Sequence, residues 1–153
     1  MTPFHFGSRD RRLFGLLREG ARIGRRGTPV LLCAPWGQEA IRAHRALRLV
    51  ARSAVAAGAD VLQFDYFGTG DSEGDAAEGS LEGWRADVDA AIDELLDSSG
   101  ARRIRVVGMR LGATIAAQAA SDRAADIERV LWWDPVVDGR AYLEGLCLAR
   151  GRR

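Results

Sequence analysis

The sequence predicts a three-layer α/β sandwich on a mostly parallel sheet. Short continuous apolar runs recur along the chain: TPVLLCAP, ADVLQFDY, RIRVVG and ERVLWWDP. Apolar runs of strand length, bounded by glycine or proline, mark strands buried on both faces. Between them lie segments whose apolar residues repeat at i, i+3/i+4, the spacing of helices with one apolar face. Alternation of such strands and helices places the strands parallel, with helices over both faces.

Taken in order, Phe4–Phe6 and Leu13–Leu17 form a leading hairpin through Gly7–Asp10. The Thr28–Pro35 run is the first buried strand. A helix over Ala40–Ala57 turns Ile41, Leu47, Val50, Ala54 and Val55 inward and stops at Gly58. ADVLQFDY is the next strand, and GTGDSEG is a loop. Ser80 caps a helix whose Leu81, Trp84, Val88, Ala91, Ile92 and Leu95 share a face, and Gly100 ends it. RIRVVG leads into a helix over Leu111–Ser121, and ERVLWWDP is the last strand. Residues 1–153 read as one domain, with 146–153 as an irregular tail.

Composition excludes several classes. The chain has 153 residues, 47% hydrophobic and 28% charged, which suits a globular domain with a core. A formal net charge of +1 gives nucleic acid or an anionic membrane no general attraction. All 22 basic residues are arginine, a compositional bias. Cys33 and Cys147 make no disulfide framework. The N-terminus lacks the apolar stretch of a signal peptide, and no run approaches the ~20 residues of a membrane span. The expectation is a cytoplasmic chain without cofactor, nucleic-acid or membrane partner.

In parallel sheets, function collects at the carboxyl ends of the strands. The first such end, APWGQE, offers the N–H of Trp36 or Gly37 to a developing oxyanion; the alternative is a plain turn, with Glu39 favoured by the helix dipole. The second, FDYFGTGDSEG, imitates a dinucleotide fingerprint through Gly68 and Gly70. Its third glycine is displaced to Gly74, and Asp71, Glu73, Asp75 and Glu78 would repel a pyrophosphate. Ser72 there reads as a turn hydrogen-bonder.

The third end, GMRLG, has the frame of a nucleophile elbow, G-x-S-x-G: strand before, helix after, glycines where backbones approach closely. Its centre is Arg110, and the N–H of Leu111 stands where an oxyanion donor would. The fourth, LWWDP, brings Asp134 beside the elbow strand. A triad acid can occupy that place, but a bidentate pair with Arg110 is the preferred reading, because each charge would be costly alone in a partly dry cleft. A triad also needs a base. His5 and His44 both precede the elbow, and no metal-ligand spacing is present. The exposed stripe Arg42, Arg45, Arg48 and Arg52 reads as a solvated helix face.

Three segments together resemble the α/β-hydrolase superfamily, in its serine aminopeptidase-like, acyl-hydrolase branch: PWGQEAIRAHRALRLVARSAVAAGADVLQFDYFGTGDSEGD, RVVGMRLGATIAA and LWWDPVVDGRAYL. The resemblance covers about residues 12 to 145, and within that group the chain is similar to versions with GLRLGA in place of the serine elbow. It implies an eight-stranded sheet and serine hydrolysis of esters, thioesters or amides, with some relatives tied to exosortase and polysaccharide-export systems. Arg110 stands at the position matching the family's nucleophile. Family members continue through a cap and two further strands carrying the acid and the histidine, so this chain reads as the N-terminal part of the fold, truncated or a short standalone form.

These readings lead to a catalytically inactive hydrolase-like protein whose cleft, lined by Trp36, Arg110, Leu111 and Asp134, takes an acyl or carboxylate-bearing small molecule or nothing. The alternatives are an acyl hydrolase using Ser72 with a partner's histidine, and an interaction module completed by a second chain. The last strand, with Val130, Leu131, Trp132 and Trp133, becomes an exposed edge, which predicts self-association or poor solubility.

Overall fold

A computed structural model describes residues 1–21 and 27–150. In chain order the elements are β1 (Thr2–Ser8), β2 (Arg11–Arg18), β3 (Gly27–Cys33), α1 (Gln38–Ala56), β4 (Ala59–Phe64), α2 (Leu81–Ser99), β5 (Ile104–Met109), α3 (Leu111–Asp122), β6 (Ile127–Trp133) and α4 (Gly139–Arg150), with a short 3-10 turn at Ala76–Glu78. They build one six-stranded sheet in the order β1-β2-β4-β3-β5-β6. The leading hairpin pairs antiparallel, with His5 opposite Phe14, and β2 joins β4 antiparallel. β4, β3, β5 and β6 run parallel.

Alternation along the buried strands divides the core between two faces. Val30 and Leu32 of β3 and Val61 of β4 face α1, where Ala51 packs on them. Leu31, Leu62, Phe64 and Val106 face α2 and α3, against Val88, Ile92, Leu95 and Ile115. The result is the expected three-layer sandwich. Ser80 Oγ accepts from the Gly83 N–H at the start of α2, and Gly100 ends that helix with φ 65. Gly100 takes a left-handed conformation there, in which glycine is unstrained.

Ile41 is 71% exposed and Leu81 57% exposed, although both lie on apolar helical spacing. Each sits in the first turn of its helix, and spacing alone does not reveal where a helix lacks a partner beneath it. Residues 146–150 belong to α4 and are not an irregular tail; 151–153 lie outside the described residues. Periodicity over so short a segment ending in arginine and glycine gave no sign of that helix. Among the described residues no helix is long and apolar enough to cross a membrane.

One contact missed in the sequence fastens the hairpin to the helical layer. Asp87 of α2 is 1% exposed. It accepts from Arg11 Nε at 2.6 Å and Arg11 Nη2 at 3.1 Å, and from the Phe67 N–H at 2.9 Å. Three hydrogen bonds to one buried carboxylate meet the condition under which burying its charge is tolerable.

Candidate functional site

The chain leaves β3 for β4 on one side and later returns to β5 on the other. The strand order reverses between β3 and β5, and the crevice outside their carboxyl ends is where such sheets hold ligands. Gly37 after β3, Arg110 after β5 and Asp134 after β6 all fall there.

The two glycines of GMRLG are required by close approach. A Cβ on Gly108 would lie 2.5 Å from Ala113 Cα, and one on Gly112 would lie 2.2 Å from Ala34 O. The first lets α3 fold back onto its own strand; the second lets the start of α3 press on the end of β3. Between them Arg110 takes φ 54, ψ −125, a conformation an L-residue adopts only under strain. Its carbonyl accepts from Ala113 N–H at 3.0 Å, and its N–H donates to Trp133 O at 3.0 Å. Strand, strained apex and helix therefore form an elbow in geometry as well as in sequence.

The apex side chain is held on two sides. Arg110 Nε donates to Glu39 Oε1 at 3.0 Å, and Nη1 donates to Asp134 Oδ2 at 3.0 Å and to Asp134 O at 3.3 Å. Tyr142 of α4 donates its hydroxyl to Glu39 Oε2 at 2.8 Å, and the guanidinium carbon stands 5.8 Å from its ring centroid. The Arg110–Asp134 contact is present, but not as a bidentate fork: the second carboxylate is Glu39. Hydrogen bonding to Glu39 raises the Arg110 pKa first, opposed by burial and aided by both carboxylate charges. Burial first, then the Glu39 carboxylate, raises the Tyr142 phenol to about 12.

A cation at the N-terminus of α3 opposes the helix dipole, and the two carboxylates offset that cost. Sequence reasoning placed Glu39 in a helix first turn and gave Tyr142 no role. They lie 71 and 32 residues from Arg110 along the chain, and no local pattern links them.

The oxyanion candidates surround the same crevice. Gly37 has φ 61, ψ −133, and a Cβ there would touch nothing within 4 Å, so backbone conformation is what calls for glycine. Leu111 opens α3, where the first N–H groups have no acceptor inside the helix. Trp36 is partly buried, its ring 5.5 Å from that of Trp84, which lies 5.8 Å from Tyr66. Tyr66 donates to Ala34 O at 3.2 Å, which ties this group of rings to the end of β3.

Ser72 stands apart. Its hydroxyl donates to Asp65 O at 2.6 Å and accepts from Phe14 N–H at 2.8 Å, pinning the acidic loop to β2. His5 on β1 lies 3.4 Å from Asp71 O, and His44 is exposed on α1, close enough to Asp65 to act on its charge. Arg42, Arg45, Arg48 and Arg52 are all exposed. Among the described residues there is no cluster of three or more His, Cys, Asp or Glu able to hold a metal.

A family model for serine aminopeptidase S33 hydrolases matches residues 42–150. The chain belongs to that family. The sheet agrees with solved α/β hydrolases. A serine hydrolase homologue from Coxiella burnetii superposes with TM-score 0.70 at 17% identity, covering 86% of this chain and 61% of its own. An N-formylmaleamic acid deformylase from Pseudomonas putida gives 0.69 at 24%, covering 90% and 48%. Mouse α/β hydrolase domain-containing protein 10 gives 0.63 at 21%, covering 86% and 49%. At these identities the likeness is one of fold. The S33-family chain spans about two fifths to three fifths of the solved hydrolases it matches. No curated protein sequence matches it.

Proposed function

We propose that this chain is a non-catalytic member of the hydrolase family, in which the elbow persists as a scaffold and its apex arginine ties the ends of β3, β5 and β6 together. The observation that carries the reading is the commitment of Arg110, at the apex of the turn, to Glu39 and Asp134. A guanidinium stays protonated and has no lone pair to offer a carbonyl. The covalent route is lost with the nucleophile, and a base with no hydroxyl to activate cannot supply its usual ~10²–10⁴-fold. Ser72 offers no substitute, because its hydroxyl already donates to one backbone group and accepts from another.

The same cluster bears on the ligand. One guanidinium between two carboxylates leaves one net negative charge. A carboxylate-bearing molecule would have to displace Glu39 or Asp134. An uncharged acyl group, its carbonyl oxygen facing the N–H groups of Gly37 and Leu111, meets no such competition. The crevice therefore favours a neutral acyl ligand over an anionic one.

The test is hydrolysis of activated esters and thioesters together with labelling by a fluorophosphonate probe. The expected result is a rate equal to the buffer blank, unchanged in Arg110→Ala, and no labelled serine. Turnover that co-purifies with the folded chain, or a probe adduct mapped to Ser72, would overturn the proposal.

A further inference from the structure

Among the described residues β6 is the last strand at one end of the sheet, with apolar side chains in solvent. Leu131, Trp132 and Trp133 are 52%, 59% and 43% exposed. The edge also has a defined pattern of unpaired backbone. Trp133 O accepts from Arg110 N–H, so the main-chain groups of Trp133 point toward β5. These directions alternate along a strand. Those of Leu131 therefore also point inward, and those of Val130 and Trp132 point out. Side chains alternate too. Leu131 pairs in register with Val107, and Trp133 with Met109. Val107 and Trp133 line an apolar groove of about 570 Å³ beside α1, with Val30, Leu49 and Val50. Arg129, Leu131 and Trp133 thus share the α1 face, while Val130 packs against the core on the other.

We infer that β6 pairs antiparallel with β6 of a second copy of this chain about a two-fold axis at Leu131, joining the two sheets into one. A two-fold interface has to be self-complementary, and this strand is. With Leu131 opposite Leu131 of the second copy, Val130 falls opposite Trp132 at two places. The outward main-chain groups of each such pair exchange two N–H···O bonds. The same register sets Arg129 opposite Trp133 on the α1 face, again twice. A guanidinium over an indole is attractive, because the ring face carries negative potential. A slip of two residues sets Arg129 against Leu131, or Val130 against Asp134, and loses both cation–aromatic pairs. A slip of one sets outward groups against inward ones. The apolar groove beside Trp133 then continues across the axis into its symmetry mate. Nothing in this arrangement depends on whether the elbow is catalytic.

The test combines sedimentation with disulfide trapping in a Cys147→Ser background, the remaining Cys33 being fully buried. Leu131 faces itself at a non-hydrogen-bonded position, where Cα atoms stand about 4.5 Å apart, within disulfide reach. The expected result is a concentration-dependent dimer and a covalent dimer on oxidation of the Leu131→Cys variant. Arg129→Cys and Trp133→Cys are expected not to cross-link. Trp132→Pro removes an outward N–H and leaves the β5 ladder intact, so the dimer should weaken by about tenfold or more. Trp132→Lys, the milder change, should weaken it as well with an unchanged circular dichroism spectrum. A strictly monomeric chain, open-ended aggregation, equal cross-linking at all three positions, or a dimer indifferent to both Trp132 variants would overturn the inference.

Discussion

Gly37 and Arg110 share one backbone conformation, φ 61, ψ −133 and φ 54, ψ −125, at the starts of the two helices that leave the adjacent strands β3 and β5. The same turn is thus made twice, side by side, once by the residue that adopts it freely and once by a residue that is strained in it. Arg110 is held there by its backbone bonds to Trp133 and Ala113 and by its side chain, fixed between Glu39 and Asp134.

This relationship separates backbone strain from side-chain pairing. Arg110→Ala and Arg110→Gly both lose the two ion pairs, but only the glycine relieves the positive φ. The glycine variant is expected to be the more stable of the two by about 1 kcal/mol in urea unfolding, after allowance for its freer unfolded chain. Equal stabilities would show that the apex carries no strain.

Gly112→Ala is expected to destabilise by about 3 kcal/mol, toward the severe end for one added methyl. The new Cβ would meet the Ala34 and Cys33 carbonyl oxygens, which are backbone atoms and cannot turn aside. Gly37→Ala meets no atom, so its cost should come from the positive φ alone, about 1–3 kcal/mol. Thermal unfolding of both variants checks the order.

Asp87→Asn removes the charge that holds Arg11 while keeping an acceptor for Phe67 N–H. Breaking a buried pair from one side costs about 3–5 kcal/mol. The Arg11 side chain is 29% exposed and can rehydrate, so about 2–3 kcal/mol is expected. A loss below about 0.5 kcal/mol would show that the hairpin is held by apolar packing instead.

Tyr142 gives the site an alkaline limit. Its phenol is raised from 10.0 to about 12, first by burial and then by the hydrogen bond to Glu39. A folded-state value above the unfolded one means the stabilisation is complete below the unfolded pKa. It is lost as pH rises from 10 toward 12. Stability should therefore fall over that window in the parent and fall less in Tyr142→Phe, measured as urea midpoints against pH. A parallel decline in both would remove Tyr142 from the cluster's energetics.

Much of this was legible one segment at a time. The buried strands announce themselves because both their faces are apolar, and Ser80 and Gly100 mark the ends of α2 by capping chemistry alone. GMRLG could be read as an elbow because glycine is demanded wherever two backbones meet. Ile41 and Leu81 misled for the complementary reason: spacing reports which way a residue points, not whether anything lies opposite. The α4 helix and the Arg11–Asp87 pair gave no local signal.

The sequence by itself determined the layered α/β architecture and the glycine-flanked turn with an arginine at its apex, because each depends on residues close together along the chain. Tertiary structure decided who answers the charge of Arg110. Glu39, Asp134 and Tyr142 come from three separate elements, and only the convergence of β3, β5 and β6 at one end of the sheet brings them within hydrogen-bond reach. It also decided the strand order β1-β2-β4-β3-β5-β6, since order arises from pairing between distant segments and is not written in any one of them.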